Sequence, residues 1–202
     1  MMGTASVSSN TSVESPPVLS PVTSPLCMVS RKGRDRQRFA PNNEGAASDD
    51  SDGKIRLVAG SIPVRKLDDG TFQVLMITNK HNDSLIFPKG GWETDETSAE
   101  AAARETMEEA GALGVIAKLD DFTFESKMKG GKRSKCCCSV YVMTVTEVME
   151  VWPESSSRTR NWYTPETAIK NCKHAWMRDA MRRWGSGEGF DLADGWTGKF
   201  VL

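Results

Sequence analysis

Gly90-Gly91-Trp92-Glu93-Thr94-Asp95-Glu96-Thr97-Ser98-Ala99-Glu100-Ala101-Ala102-Ala103-Arg104-Glu105-Thr106-Met107-Glu108-Glu109-Ala110-Gly111-Ala112 is the stretch from which the rest of the chain is read. A glycine-rich loop opens it and a helix follows. Thr97 and Glu100 have capping-box spacing, Asp95 and Glu96 suit the positive end of a helix dipole, and Gly111 suits the position just past the last turn. Ala99, Ala103, Thr106 and Ala110 repeat at four, three and four, a narrow strip of small residues that lets the helix lie close against a sheet. Glu105, Glu108 and Glu109 fall within one turn at the edge of that contact, where like charges repel. A solvated acidic face supported by Arg104, which lies four residues after Glu100 and four before Glu108, is one account of them. The other is a hard divalent ion held by oxygen ligands. Magnesium fits, with manganese as a substitute, because it binds through a few carboxylates plus substrate phosphates. Pro88 and Lys89 lead into the loop with a cation, and Gly90 and Gly91 let backbone approach a ligand closely.

Gly90, five residues, Glu96, seven residues and then Arg104-Glu105-Thr106-Met107-Glu108-Glu109-Ala110-Gly111-Ala112 resemble the Nudix box, the signature of hydrolases that cleave a nucleoside diphosphate linked to another group. Every charged and glycine position matches, while Thr106 and Ala112 are less apolar than the pattern. The resemblance implies an α/β (α+β) fold, an α/β/α sandwich around a central mixed sheet.

The chain has 202 residues and a net charge of -1, which suits one domain with extensions and gives no global bias toward nucleic acid or membrane. Residues 1–52 read as an extension, 53–184 as the domain and 185–202 as a Gly- and aromatic-containing tail. The first thirty residues are rich in Ser, Thr, Val and Pro with Glu14 as their acid, and read as disordered. A transit peptide is the rival reading, against which stand the absence of Arg before Arg31 and of amphipathic pattern. No long apolar run suggests a signal peptide or a membrane span. The expectation is a cytoplasmic or nuclear monomer, with organelle import as the alternative. Arg31, Lys32, Arg34, Arg36 and Arg38 form a basic run. Arg31 and Lys32 read as solvated linker; for the run just ahead of the first strand, folding back over the phosphate site is the alternative to a solvated linker. A nuclear-localisation signal is a weaker reading of it.

Ile55 to Arg65 and Phe72 to Thr78 read as a hairpin joined by Lys66-Leu67-Asp68-Asp69-Gly70, and Leu85 to Phe87 as a short buried strand. Phe122 to Lys127 and Val140 to Val148 alternate like strands. The loop between, Lys127 to Lys135, holds Lys127, Lys129, Lys132, Arg133 and Lys135, either a solvated tip or a clamp for a polyanion. Cys136, Cys137 and Cys138 are contiguous, which suits strand packing in a reducing compartment and neither a zinc site nor a disulfide framework. His81 and His174 read as structural or exposed. Thr164 and Pro165 open a last helical region whose stripe is Ala168, Ile169, Cys172, Trp176, Ala180 and Trp184.

Within the Nudix hydrolases, Phe87 to Glu93, Tyr141 to Val148 with Trp152, and Arg158 to Tyr163 are similar to the diphosphoinositol polyphosphate phosphohydrolases, whose members also cut diadenosine polyphosphates. The resemblance implies that Arg34, Arg56, Lys80, Lys89, Lys135 and Arg158, with Gly90 and Gly91, bind substrate phosphates. It implies that Glu105 and Glu109 hold magnesium and that Glu108 shares the metal or, as the resemblance favours, takes the proton from attacking water. Arg104 would orient Glu105. Trp92 is an aromatic on which a nucleotide base could stack. A dinucleoside polyphosphate or another nucleoside diphosphate-linked compound is the alternative substrate, and a non-catalytic phosphate-sensing or protein-binding module the alternative class.

Overall fold

The computed structural model describes residues 29–31, 33, 35–41, 54–79, 82–127, 131 and 133–187. The expectations for residues 1–28, Lys32, Arg34, Lys80, His81, Lys129, Lys132 and the tail from residue 188 lie outside the described residues.

The chain order is β1 (Phe39–Pro41), β2 (Lys54–Lys66), β3 (Phe72–Asn79), β4 (Asn82–Ile86), β5 (Lys89–Gly91), α1 (Ser98–Ala110), β6 (Ala112–Lys127), β7 (Arg133–Val148), β8 (Arg160–Tyr163), α2 (Pro165–Asn171) and α3 (Ala175–Ser186). The strands form one mixed sheet in the order β4-β3-β2-β7-β6, with β1 and β5 paired to β2 and β8 paired to β3. β2 and β7 run parallel at its centre, from Arg56 opposite Cys136 to Val64 opposite Thr144. The expected α/β fold with a central mixed sheet is the observed one.

Hairpin β2–β3 closes at Lys66 opposite Phe72. Its turn is held by Asp69, whose Oδ1 accepts from the amide and hydroxyl of Thr71 at 2.9 and 2.6 Å. After Ile86 the chain crosses to pair β5 with the first half of β2, Gly90 opposite Ala59 and Gly91 opposite Val58. The glycine loop is thereby a strand laid beside β2, not a free turn.

Successive residues of a strand face opposite sides of a sheet, and the core divides accordingly. On one face Ser61 meets Thr106 of α1 at 2.6 Å and the Tyr141 hydroxyl meets Ser98 at 2.7 Å. On the other, Trp176 of α3 stacks on Phe124 with ring centroids 4.5 Å apart and meets Phe87 edge-on at 5.5 Å. Cys136 and Cys138 are buried and Cys137 between them is half-buried, the alternation expected of strand packing.

Two elements differ from the sequence reading. β6 begins at Ala112, immediately after the helix, not near Phe122, and β7 begins at Arg133, so the connecting loop is shorter than Lys127 to Lys135. Bulges between Leu113 and Gly114 and between Lys118 and Asp120 interrupt the period of two that would have announced it. The last helical region is two helices: Lys173 N donates to Leu85 O at 2.9 Å, pulling Cys172 to His174 out of helical geometry and onto β4.

Candidate active site on the α1 turn

α1 is fixed at both ends by its own sequence. The Thr97 side chain accepts from Glu100 N while the Glu100 carboxylate accepts from Thr97 N at 2.8 Å, a complete capping box. Gly111 closes the helix at φ 61°, a left-handed conformation that suits glycine. The fully buried residues toward the sheet are Ala101, Ala102, Thr106 and Ala110, with Ala99 and Ala103 at the margin. Thr106 spends its hydroxyl proton on Ala102 O at 2.7 Å, so the buried Ser61 hydroxyl donates to Thr106. The polar residue that departs from the box pattern is therefore satisfied.

Glu105, Glu108 and Glu109 project from the next turn. The Glu105 carboxylate lies directly on Gly90, where a Cβ would fall inside it. Arg104 donates to Glu105 Oε1 at 2.8 Å and to Gly91 O at 3.0 Å, and grips both oxygens of Glu96 at 2.9 and 2.7 Å. It lies 3.6 Å from Glu108. Glu109 accepts from Lys89 N at 2.9 Å through Oε2 and from Arg158 through Oε1. Glu108 is 4% exposed and accepts from the backbone N of Arg31 at 3.2 Å.

Burial, and then the neighbouring Glu105 charge, push the Glu108 carboxyl up to about 7. Burial raises Glu105 against the pull of Arg104, and Glu109 against the pull of Lys89 and Arg158. In all three, burial disfavours the charged form more than the neighbouring cations restore it. Among the described residues no three acidic, His or Cys side chains converge on one point as a preformed cage. The donor set itself, three carboxylates on one helical turn offering oxygen alone, fits a hard divalent ion.

The other expected residues are placed as follows. Arg56 donates through Nε to Gln37 Oε1 at 2.8 Å, and its Nη2 lies beside Gly91. Lys135 stands on β7, opposite Glu125 and next to the Arg56 and Cys136 pair. Arg158 is 7% exposed, with Nε on Glu154 at 2.7 Å and Nη1 on Thr78 O at 2.9 Å, so its guanidinium is spent on protein acceptors. Arg31 is not a solvated linker cation. Its side chain pairs with Glu93 at 2.7 Å and Asp95 at 3.3 Å, beside Arg36 on Asp95 at 2.7 Å. One face of Trp92 is covered by Arg38, 5.0 Å from the ring, and its Nε1 donates to Glu96 O at 2.9 Å.

Sequence reading missed Gln37 and Glu154, and gave Trp152 and Arg160 no role beyond the subfamily resemblance. Gln37 ties Arg38 O, Leu57 O and Trp92 O together through its amide. Glu154 holds Arg158, and its charge adds to the rise at Glu105. Only the proximity of Glu154 to Arg158 in sequence could have signalled this.

A NUDIX domain model matches residues 56–184. Nudix hydrolase 16 of Arabidopsis thaliana, named mitochondrial, is 42% identical over 76% of this chain and 86% of its own. The Bos taurus diphosphoinositol polyphosphate phosphohydrolase 3-beta is 39% identical over 48% of this chain and 57% of its own. A solved binary complex of a C. elegans Ap4A hydrolase has a TM-score of 0.50 at 24% identity, over 63% of this chain and 93% of that one, a likeness of fold. The chain belongs to the Nudix hydrolase family. Hydrolases of this family generally use divalent metal ions such as magnesium. The expectation of a cytoplasmic or nuclear protein is corrected: Arabidopsis Nudix hydrolases 12, 13 and 18, also similar to this chain, carry the same mitochondrial designation as Nudix hydrolase 16. The designation overturns an inference that rested on the lack of an Arg-rich, amphipathic leader. Among the described residues no helix is long and apolar enough to cross a membrane.

Proposed function

We propose that the chain hydrolyses phosphoanhydride bonds of diphosphoinositol polyphosphates with magnesium, and diadenosine polyphosphates as further substrates. The observation that carries this reading is the Glu105–Glu109 turn, three carboxylates raised by burial and set against the Lys89–Gly91 strand. The substrate class is supported by the bovine relative's name and by the cations Arg56, Lys89 and Lys135, with Arg34 and Lys80 expected to join them. Densely charged phosphates suit such a setting better than a nucleotide sugar does.

A bound divalent ion would supply acidification of water and neutralisation of phosphate charge. Glu105 and Glu109 are the residues that would hold it. Glu108 takes the proton of the attacking water on its carboxylate, a role matched to a carboxyl pushed up to about 7. Water oxygen bonds to the terminal phosphorus, the bridging P–O bond breaks, and orthophosphate leaves the inositol phosphate. Lys89 and Arg56 offset charge as it gathers on the phosphate oxygens. Arg104 orients Glu105, and Arg158 orients Glu109 while it remains on Thr78 and Glu154.

We further place the protein in an organelle, mitochondria first, on the names of its plant relatives and the Ser- and Thr-rich, acid-poor first thirty residues. Fractionation of cells carrying the full chain with a C-terminal tag tests this; signal confined to the cytosol would contradict it.

The substrate reading is tested by offering the purified chain diphosphoinositol pentakisphosphate, diadenosine hexaphosphate and ADP-ribose side by side with magnesium. Fastest turnover of the first, with release of orthophosphate, is expected. Turnover of the second alone transfers the assignment to dinucleoside polyphosphates, and turnover of none removes it.

A further inference from the structure

α1 has no basic residue in its last turn, yet each carbonyl from Met107 to Gly111 has a donor. Met107 O takes Gly111 N at 2.9 Å, Glu108 O takes Glu154 N at 3.1 Å, and Gly111 O takes Met149 N at 2.8 Å. Glu109 O takes the Trp152 indole Nε1 at 3.2 Å, and Ala110 O takes Arg160 Nη1. Helix ends leave such carbonyls open, and here four of the five donors come from Met149, Trp152, Glu154 and Arg160. The Arg160 guanidinium lies over Trp152, 3.9 Å from the ring centre, and donates through Nη2 to Met149 O. The fit admits nothing more: a Cβ at Gly111 would meet Arg160 at 2.5 Å and Trp152 at 2.8 Å. A guanidinium set against the negative end of the helix also complements its dipole.

We propose that Trp152 and Arg160 are positioning residues for the Glu105–Glu109 turn, a stacked pair that fixes where Glu108 and Glu109 project by holding the carbonyls of Glu109 and Ala110. The inference rests on the reading of that turn as the divalent-ion site. Neither side chain touches substrate. Both act through the backbone of residues whose carboxylates must sit within a fraction of an ångström of a working geometry.

Trp152→Phe removes the indole donor and keeps a ring under Arg160. Arg160→Lys keeps a cation and loses the fork that spans two carbonyls. Ile62→Val, at a fully buried site remote from the clamp, is the control for a general loss of stability. Manganese is titrated into each metal-free protein, with free manganese read by electron paramagnetic resonance. The magnesium half-saturation, kcat and KM are then measured on a substrate the wild type turns over. Both clamp variants are expected to weaken manganese binding on the order of tenfold, the usual effect of losing an outer partner of a metal ligand. They are expected to lower kcat while KM at saturating magnesium stays within about twofold. Ile62→Val should do neither. Clamp variants that bind manganese as the wild type does, or an equal loss in Ile62→Val, overturn the inference alone. A wild type that binds no manganese overturns the ion-site reading and this inference with it.

Discussion

The Glu105 carboxylate rests on Gly90, and the absent side chain of that glycine is the space it occupies. The helix and the strand β5 meet at this point with no atom to spare. Gly90 is therefore required for close approach and not for a left-handed turn, since its backbone pairs with Ala59 as an ordinary strand residue.

Gly90→Ala is expected to drive the Glu105 carboxylate out of its place, weakening divalent-ion affinity and kcat/KM each by roughly 10- to 100-fold. Magnesium half-saturation and steady-state turnover check this. Wild-type values for both would mean that Glu105 is free to work from another position.

Glu108→Gln should separate stability from chemistry. A carboxyl whose folded value is raised to about 7 from 4.5 binds more protons folded than unfolded across that interval, so it costs stability as pH rises through it. In chelator the variant is expected to melt higher than the wild type at pH 8 and equally at pH 5, while its turnover with magnesium falls by about 10²–10⁴. Melting curves at the two pH values and an activity assay decide it. A variant less stable at pH 8 would show that Glu108 is favourably charged in the fold.

The buried Ser61 and Thr106 hydroxyls form a pair whose proton order is fixed by the bond from Thr106 to Ala102 O. Thr106→Val strands the Ser61 donor and is expected to cost about 1–3 kcal/mol in denaturant unfolding. Adding Ser61→Ala should recover much of that loss, because no unsatisfied hydroxyl remains. A double variant that is less stable than Thr106→Val alone would refute the assigned donor direction.

The helix was readable in the sequence because everything that defines it is local: Thr97 and Glu100 cap it, Gly111 ends it, and the acids share a turn. The β2–β3 hairpin and the alternation of Cys136 to Cys138 were readable for the same reason. The first half of β6 was not, because two bulges break the period of two just where the strand leaves Gly111. One apolar stripe runs through α2 and α3, so periodicity sees a single helix, and the break comes from the bond of Lys173 N to Leu85 O, which no local signal carries. Arg31, Trp152, Glu154 and Arg160 reach the site across long stretches of chain. Their partners are set by the fold and have no sequence period to reveal them.

The most direct test of the account is calorimetric titration of magnesium into the metal-free chain and into its Glu105→Gln and Glu109→Gln variants. Saturable binding by the wild type, weakened at least tenfold in each variant, is the predicted result. Equal binding by all three proteins, or none by the wild type, would contradict the claim that this helical turn holds the ion.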